Sequence, residues 1–123
     1  MKILIADDAA LLRERLVALL TRLSGVDSII ESRCCASTLA AVERDQPDVV
    51  LLDLRLPDGS GLDILRKLQT LPRPPHVLVL TIWNAPEIRQ LCIEAGAAGF
   101  FEKSSGFLGA VDAVRDYAAG GRA

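Results

Sequence analysis

Lysine is scarce in this chain of 123 residues: only Lys2, Lys67 and Lys103 are present, and positive charge otherwise sits on arginine. Neither sign of charge dominates, and the net charge of −2 gives no basis for a polyanion-binding or membrane-binding surface. The three cysteines, Cys34, Cys35 and Cys92, are odd in number and lack metal-ligand spacing. They are expected to be small buried hydrophobes in a reducing cytoplasm. No apolar run approaches the roughly 20 residues needed to cross a bilayer. The opening "MKILIADD" turns acidic at Asp7, so no signal peptide is expected. Internal repeats and low-complexity tracts are absent. No glycine-rich phosphate loop follows the first apolar run, which argues against a nucleotide-binding domain.

What is present is core-forming. Half of the residues are apolar, and the length suits one domain, taken as residues 1–123. Short apolar runs alternate with longer periodic segments. Residues 2–6 read as a strand. Residues 9–23 read as a helix whose Leu12, Leu16, Leu19 and Leu23 share a face. Residues 27–32 form a less apolar strand, suited to an edge. A helix over 36–45 is closed by Pro47. Residues 48–53 form a third strand, apolar throughout its interior, and 61–69 a third helix. The strand at 76–81 precedes a helix that Pro86 begins and Gly96 ends. A short strand at 98–101 leads to a fifth helix, with Ser105 as its cap and Leu108, Val111 and Val114 as its apolar positions.

Five βα units in series predict an α/β fold: a doubly wound, five-stranded parallel sheet with helices on both faces. Ligands of such sheets bind outside the carboxyl ends of the strands. Asp7 and Asp8 follow the first strand, Asp53 ends the third, Thr81 ends the fourth, and Lys103 follows the fifth. Singly, each has an ordinary reading as a helix cap, a strand-end hydroxyl or a surface cation. Jointly they place three carboxylates, one hydroxyl and one ammonium on a single edge.

That set has a coherent chemistry. Three close carboxylates repel one another unless a cation joins them. A few hard oxygen ligands suit Mg²⁺ (or Mn²⁺). A carboxylate beside such an ion can attack a phosphoryl group and form an acyl phosphate. The charge spread over the phosphoryl oxygens then requires positioned cations and donors, which Lys103 and Thr81 could supply.

At this point the chain resembles the receiver domain of two-component response regulators. The resemblance rests on "ILIADD" (3–8), "VVLLDLRLPDGSG" (49–61), "VLVLT" (77–81) and "AGAAGFFEKS" (95–104), in order and at family spacing. It implies a flavodoxin-like sheet of strand order 2-1-3-4-5. It implies Asp53 as phosphoacceptor, Asp8 as a direct Mg²⁺ ligand and Asp7 acting largely through water. The main-chain carbonyl of Arg55 would complete the protein ligands. Thr81 would hydrogen-bond the phosphoryl group and Lys103 would pair with it. Phe100 would be the aromatic switch, its ring turning inward as Thr81 moves.

Three positions depart from the family pattern. Ile82 and Trp83 stand where small or polar residues are usual, and Ser104 where many members have proline. The implied function is a phosphorylatable signalling switch that catalyses only its own phosphorylation and dephosphorylation. Its donor would be a sensor histidine kinase or a histidine phosphotransfer protein. Its output would be a downstream protein or a self-dimer, through the face of the fourth helix, fifth strand and fifth helix. A cytoplasmic location is implied, with no membrane contact and no direct nucleic-acid contact or output unit within these residues. The alternative is a Mg²⁺-dependent phosphohydrolase with an aspartyl-phosphate intermediate. Such enzymes carry a second aspartate two residues after the nucleophile, where this chain has Arg55.

Overall fold

The computed structural model describes residues 1–120; residues 121–123, part of the expected 1–123 unit, lie outside the described residues. Five strands are ordered: β1 (Lys2–Ala6), β2 (Ser28–Ser32), β3 (Val49–Leu52), β4 (His76–Thr81) and β5 (Gly99–Glu102). They pair in parallel in the order β2-β1-β3-β4-β5. Helices α1 (Ala10–Leu20), α2 (Cys35–Asp45), α3 (Gly61–Leu68), α4 (Pro86–Glu94) and α5 (Phe107–Ala118) connect or follow them. The expected α/β architecture and strand order are both present. No helix among the described residues is long and apolar enough to cross a membrane.

The apolar runs explain the layering. Successive strand residues point to opposite faces, so a strand covered on both sides is apolar throughout. Leu4, Ala6, Val50, Leu52, Val77, Val79 and Phe100 pack against α2, α3 and α4. Ile3, Ile5, Val49, Leu51, Leu78 and Leu80 pack against α1 and α5. Helix α3 shows the local logic well. Ser60 caps it by accepting from the Leu62 amide at 3.1 Å. Asp63 in its first turn and Arg66 and Lys67 in its last complement the helix dipole. Ile64, Leu65 and Leu68 are buried, each worth about 1.5–3 kcal/mol of transfer free energy. Pro86 opens α4, and Gly96 follows it at φ +103°, as the sequence led one to expect.

Several expectations are corrected. Helix α1 stops at Leu20, and its buried stripe is Leu16 and Leu20, with Leu12, Leu19 and Leu23 half-buried. Helix α5 is preceded by Gly106, not capped by Ser105, because Ser104 and Ser105 both spend their hydroxyls on the Glu102 carboxylate. Its inward face is Ala110, Val111 and Val114, and Leu108 is 65% exposed. Only Cys92 among the cysteines is buried. Cys34 is the N-cap of α2, its sulfur accepting from the Ser37 amide. Cys35 is half-buried, and burial together with Asp58 pushes its thiol up to about 11.

The loop after β3 is more ordered than a Pro-Asp-Gly turn alone suggests. Arg55–Leu56 and Gly59–Ser60 form a two-rung antiparallel ribbon. The Asp58 carboxylate reaches across to the free N-terminus of α2 and accepts from the Cys35 and Ala36 amides at 2.5 and 3.0 Å. Gly61 closes the loop, its amide donating to the Leu54 carbonyl at 2.8 Å. A Cβ there would overlap the Asp53 carbonyl oxygen and lie 2.8 Å from the Leu54 Cα. Gly61→Ala is therefore expected to cost about 3 kcal/mol in urea denaturation, because backbone must move to admit the methyl. Gly59→Ala meets only the Cys35 sulfur, at 3.2 Å, and should cost far less. Equal costs would contradict this account.

Candidate functional site

Each carboxylate stands on a rigid stem. The Asp53 amide donates to the Ala6 carbonyl at 2.9 Å, continuing the β1–β3 ladder one step beyond β3. The Asp7 amide donates to the Ser32 carbonyl at 3.0 Å and does the same between β1 and β2. The Lys103 amide donates to the Thr81 carbonyl at 2.9 Å, so the lysine leaves the end of β5 in fixed register. These ladders bring Asp7, Asp8 and Asp53 together, with ligand oxygens within 4.8 Å of one another.

Lys103 holds the centre. Its Nζ lies 2.7 Å from Asp7 Oδ2 and 3.0 Å from Asp53 Oδ2. Asp7 and Asp53 are buried, at 3% and 5% exposure, whereas Asp8 is exposed. Asp7 Oδ1 also accepts from the Ala9 amide at 2.8 Å. Asp53 Oδ1 accepts only a long bond, 3.3 Å, from the Arg55 amide. Burial raises the pKa of Asp7 above the usual carboxylate value, outweighing the hydrogen bonds from Lys103 and Ala9. Burial works against the Lys103 charge too. There the two carboxylates win, and its pKa lies above the ordinary lysine value.

Asp8, Asp53, Arg55, Leu56, Pro57, Ile82 and Lys103 line an open hollow of about 370 Å³. Arg55 is exposed, and its guanidinium carbon sits 5.0 Å from the centre of the Trp83 ring, a cation–π contact at the rim. Thr81 ends β4 as expected, but it is fully buried, and its hydroxyl accepts from the Trp83 amide at 3.3 Å. Phe100 is also packed inward, in the α4 side of the core, with the Arg89 guanidinium 5.8 Å from its ring centre. The backbone at Ser104 is ordinary: no cis peptide bond occurs among the described residues.

The donor set fits a hard divalent cation. Three carboxylates converge, and Asp8 leaves its oxygens open to solvent. Both Asp7 oxygens are already engaged, by Lys103 and by Ala9. Sequence reasoning missed Gly61, whose only signal is the second glycine of "PDGSG". It also missed Arg13, whose Nη1 donates to the Asp7 carbonyl at 2.6 Å and which no motif flags.

Lys103→Gln should destabilise the protein by about 3 kcal/mol at pH 7 with divalent ions chelated, because two buried carboxylates lose their shared cation. A lysine whose folded pKa is raised stabilises fully below about pH 10.4, the unfolded value, and this is lost as pH rises through the folded value. At the acid end the deficit of the variant should shrink as pH falls through the raised pKa of Asp7, since a protonated carboxyl needs no cation. Urea denaturation at pH 4, 7 and 11 measures this, and a deficit independent of pH would contradict the shared-cation account.

Comparison with known proteins agrees with this geometry. The family described as response regulator receiver domain matches residues 3–115. The DNA-binding transcriptional activator DevR/DosR of Mycobacterium tuberculosis is 34% identical over 119 residues, covering 97% of this chain and 55% of that protein. The response regulator GacA of Pseudomonas aeruginosa is 31% identical over 121 residues, covering 98% of this chain and 56% of that protein. The chain thus spans just over half the length of these curated relatives. The signal receiver domain of the regulator NarL from Mycobacterium tuberculosis superposes with a TM-score of 0.86 at 32% identity, covering 97% of this chain and 96% of that one. An acidic edge on a 2-1-3-4-5 sheet and a match along nearly the whole chain lead to one conclusion: the chain belongs to the response regulator receiver domain family.

Proposed function

We propose that this chain is a phosphorylatable switch of a two-component system, with Asp53 as the phosphoacceptor. The observation that carries this is the Asp53 carboxylate: buried at the tip of β3, grouped with Asp7 and Asp8, and 3.0 Å from Lys103 Nζ. The donor is a sensor histidine kinase or a histidine phosphotransfer protein. An Asp53 oxygen forms the new bond to phosphorus as the phosphorus–nitrogen bond of the phosphohistidine breaks, and the imidazole takes up the bonding pair. Asp8, Asp53 and the Arg55 carbonyl would hold Mg²⁺ (or Mn²⁺), with Asp7 acting through water, and the ion would supply positive charge against the phosphoryl oxygens.

The chain's own groups do the rest. Lys103 already contacts Asp53, and its ammonium moves to pair with a phosphoryl oxygen. Thr81 gives up the Trp83 amide and turns its hydroxyl toward the new anion. Phe100 sits two residues before the partner of Thr81 on the neighbouring strand, so a shift of the β4 end is felt at its ring. The α4–β5–α5 face, where Leu91 and Ile93 are 40% and 44% exposed, is the output surface for a downstream protein or a self-dimer. The residues act as one receiver unit in the cytoplasm, without direct nucleic-acid contact. The phosphohydrolase alternative is disfavoured, because Arg55 occupies the position of its general acid.

Incubation with acetyl phosphate and Mg²⁺ should add one phosphoryl mass to the intact protein, and Asp53→Asn should abolish it. The same mass gain in the Asp53→Asn variant would sink the assignment.

Ile82 lines the hollow at 63% exposure, and Trp83, 43% exposed, lies against the Arg55 guanidinium that also lines it. Bulky apolar groups there obstruct the water that must approach phosphorus in line with the departing Asp53 oxygen. Ile82→Ala and Trp83→Ala should each shorten the phosphoprotein half-life severalfold. Half-lives equal to the parent's would reduce both side chains to loop packing.

A further inference from the structure

The turn between β1 and α1 carries the two aspartates, and Asp7 is tied down at every polar atom. Its amide donates to Ser32, its Oδ1 accepts from Ala9, and its Oδ2 pairs with Lys103. The remaining atom, the carbonyl oxygen, accepts from Arg13 Nη1 at 2.6 Å. Arg13 lies one turn into α1, and its side chain is only 16% exposed. Its Nε donates to Glu31 Oε1 at 3.1 Å, from the edge strand β2. A half-exposed ion pair of this kind contributes little stability by itself. Its geometric effect is larger, because a planar guanidinium gripped at Nε has its Nη1 aimed in one direction. That direction is the peptide joining Asp7 to Asp8. The Asp8 carboxylate is exposed and lines the hollow, so its placement depends on the backbone beneath it.

We infer that Arg13, oriented by Glu31, is a positioning residue that fixes the Asp7–Asp8 peptide and so sets the Asp8 carboxylate for its cation. This rests on the reading of the site as a divalent-cation site given above. Electrostatics and positioning predict opposite signs here. Removing a guanidinium beside an acidic cluster would, by charge alone, tighten cation binding. Loosening the turn weakens it, and supporting residues of metal ligands typically contribute about 10–100-fold in affinity.

The test is titration of the full chain with Mg²⁺ alone, by calorimetry, alongside urea denaturation and amide hydrogen exchange of the metal-free proteins. Arg13→Met is expected to raise the Mg²⁺ dissociation constant about tenfold, and Glu31→Gln about threefold. Arg13→Lys, which keeps the charge and one donor but not the fork, should fall between parent and Arg13→Met. Exchange should quicken at the amides of residues 8–10 while the β3 and β4 amides stay protected. Unchanged or tighter Mg²⁺ binding in Arg13→Met, with only stability lost, would overturn the inference. A parent protein that binds no Mg²⁺ would instead overturn the cation reading of the site. Exchange at residues 8–10 then still decides whether Arg13 holds the turn.

Discussion

One ammonium holds two buried carboxylates at the carboxyl edge of the sheet, and a third carboxylate stands beside them. Lys103 contacts Asp7 and Asp53 at 2.7 and 3.0 Å, and among the described residues neither acid has another cation within salt-bridge distance. Like charges this close raise the free energy of the folded chain unless a cation offsets them. The remainder of the fold is arranged to keep them there regardless. Three ladder hydrogen bonds continue past the strand ends, through the amides of Asp7, Asp53 and Lys103. Behind them lies a sheet whose strand residues Ile3, Leu4, Val49, Val50, Leu52 and Val79 have no solvent exposure at all. The core supplies the stability that the edge gives up.

Much of this was legible in the sequence alone. The strands are short runs of Val, Leu and Ile because both faces are covered, and such runs can be read directly. Asp7, Asp8, Asp53, Thr81 and Lys103 were placed on one edge by counting strand ends, which is topology rather than side-chain detail. The errors came where position depends on a partner distant in sequence. Leu20 is buried and Leu108 exposed because each helix is rotated on the sheet by its neighbours, and periodicity gives a stripe without fixing its centre. Ser105 looked like a cap but is drawn off by Glu102. Asp58 stands in a Pro-Asp-Gly turn, yet its carboxylate caps a helix that begins 23 positions earlier. Arg13 has no motif at all, because its role depends on a main-chain carbonyl that every residue possesses.

These ties are unevenly distributed across the site. On the side of β1, β2 and α2, the Asp7 turn is fixed by Ser32, Ala9 and Arg13, and the ribbon after β3 by Asp58 and Gly61. On the side of β4 and β5, the Lys103 amide holds the Thr81 carbonyl, but the Thr81 hydroxyl is restrained by one 3.3 Å bond from the Trp83 amide. Ile82 and Trp83 project into solvent, α4 buries only Cys92 completely, and Phe100 lies on an edge strand. On the proposed phosphorylation of Asp53, the new anion would draw on donors from both sides, and the side held by fewer bonds would yield first. The β4–α4–β5 side is therefore where the free energy of a phosphoryl group would be converted into a change of shape, with the β1–β2 side acting as the fixed frame against which that change is made.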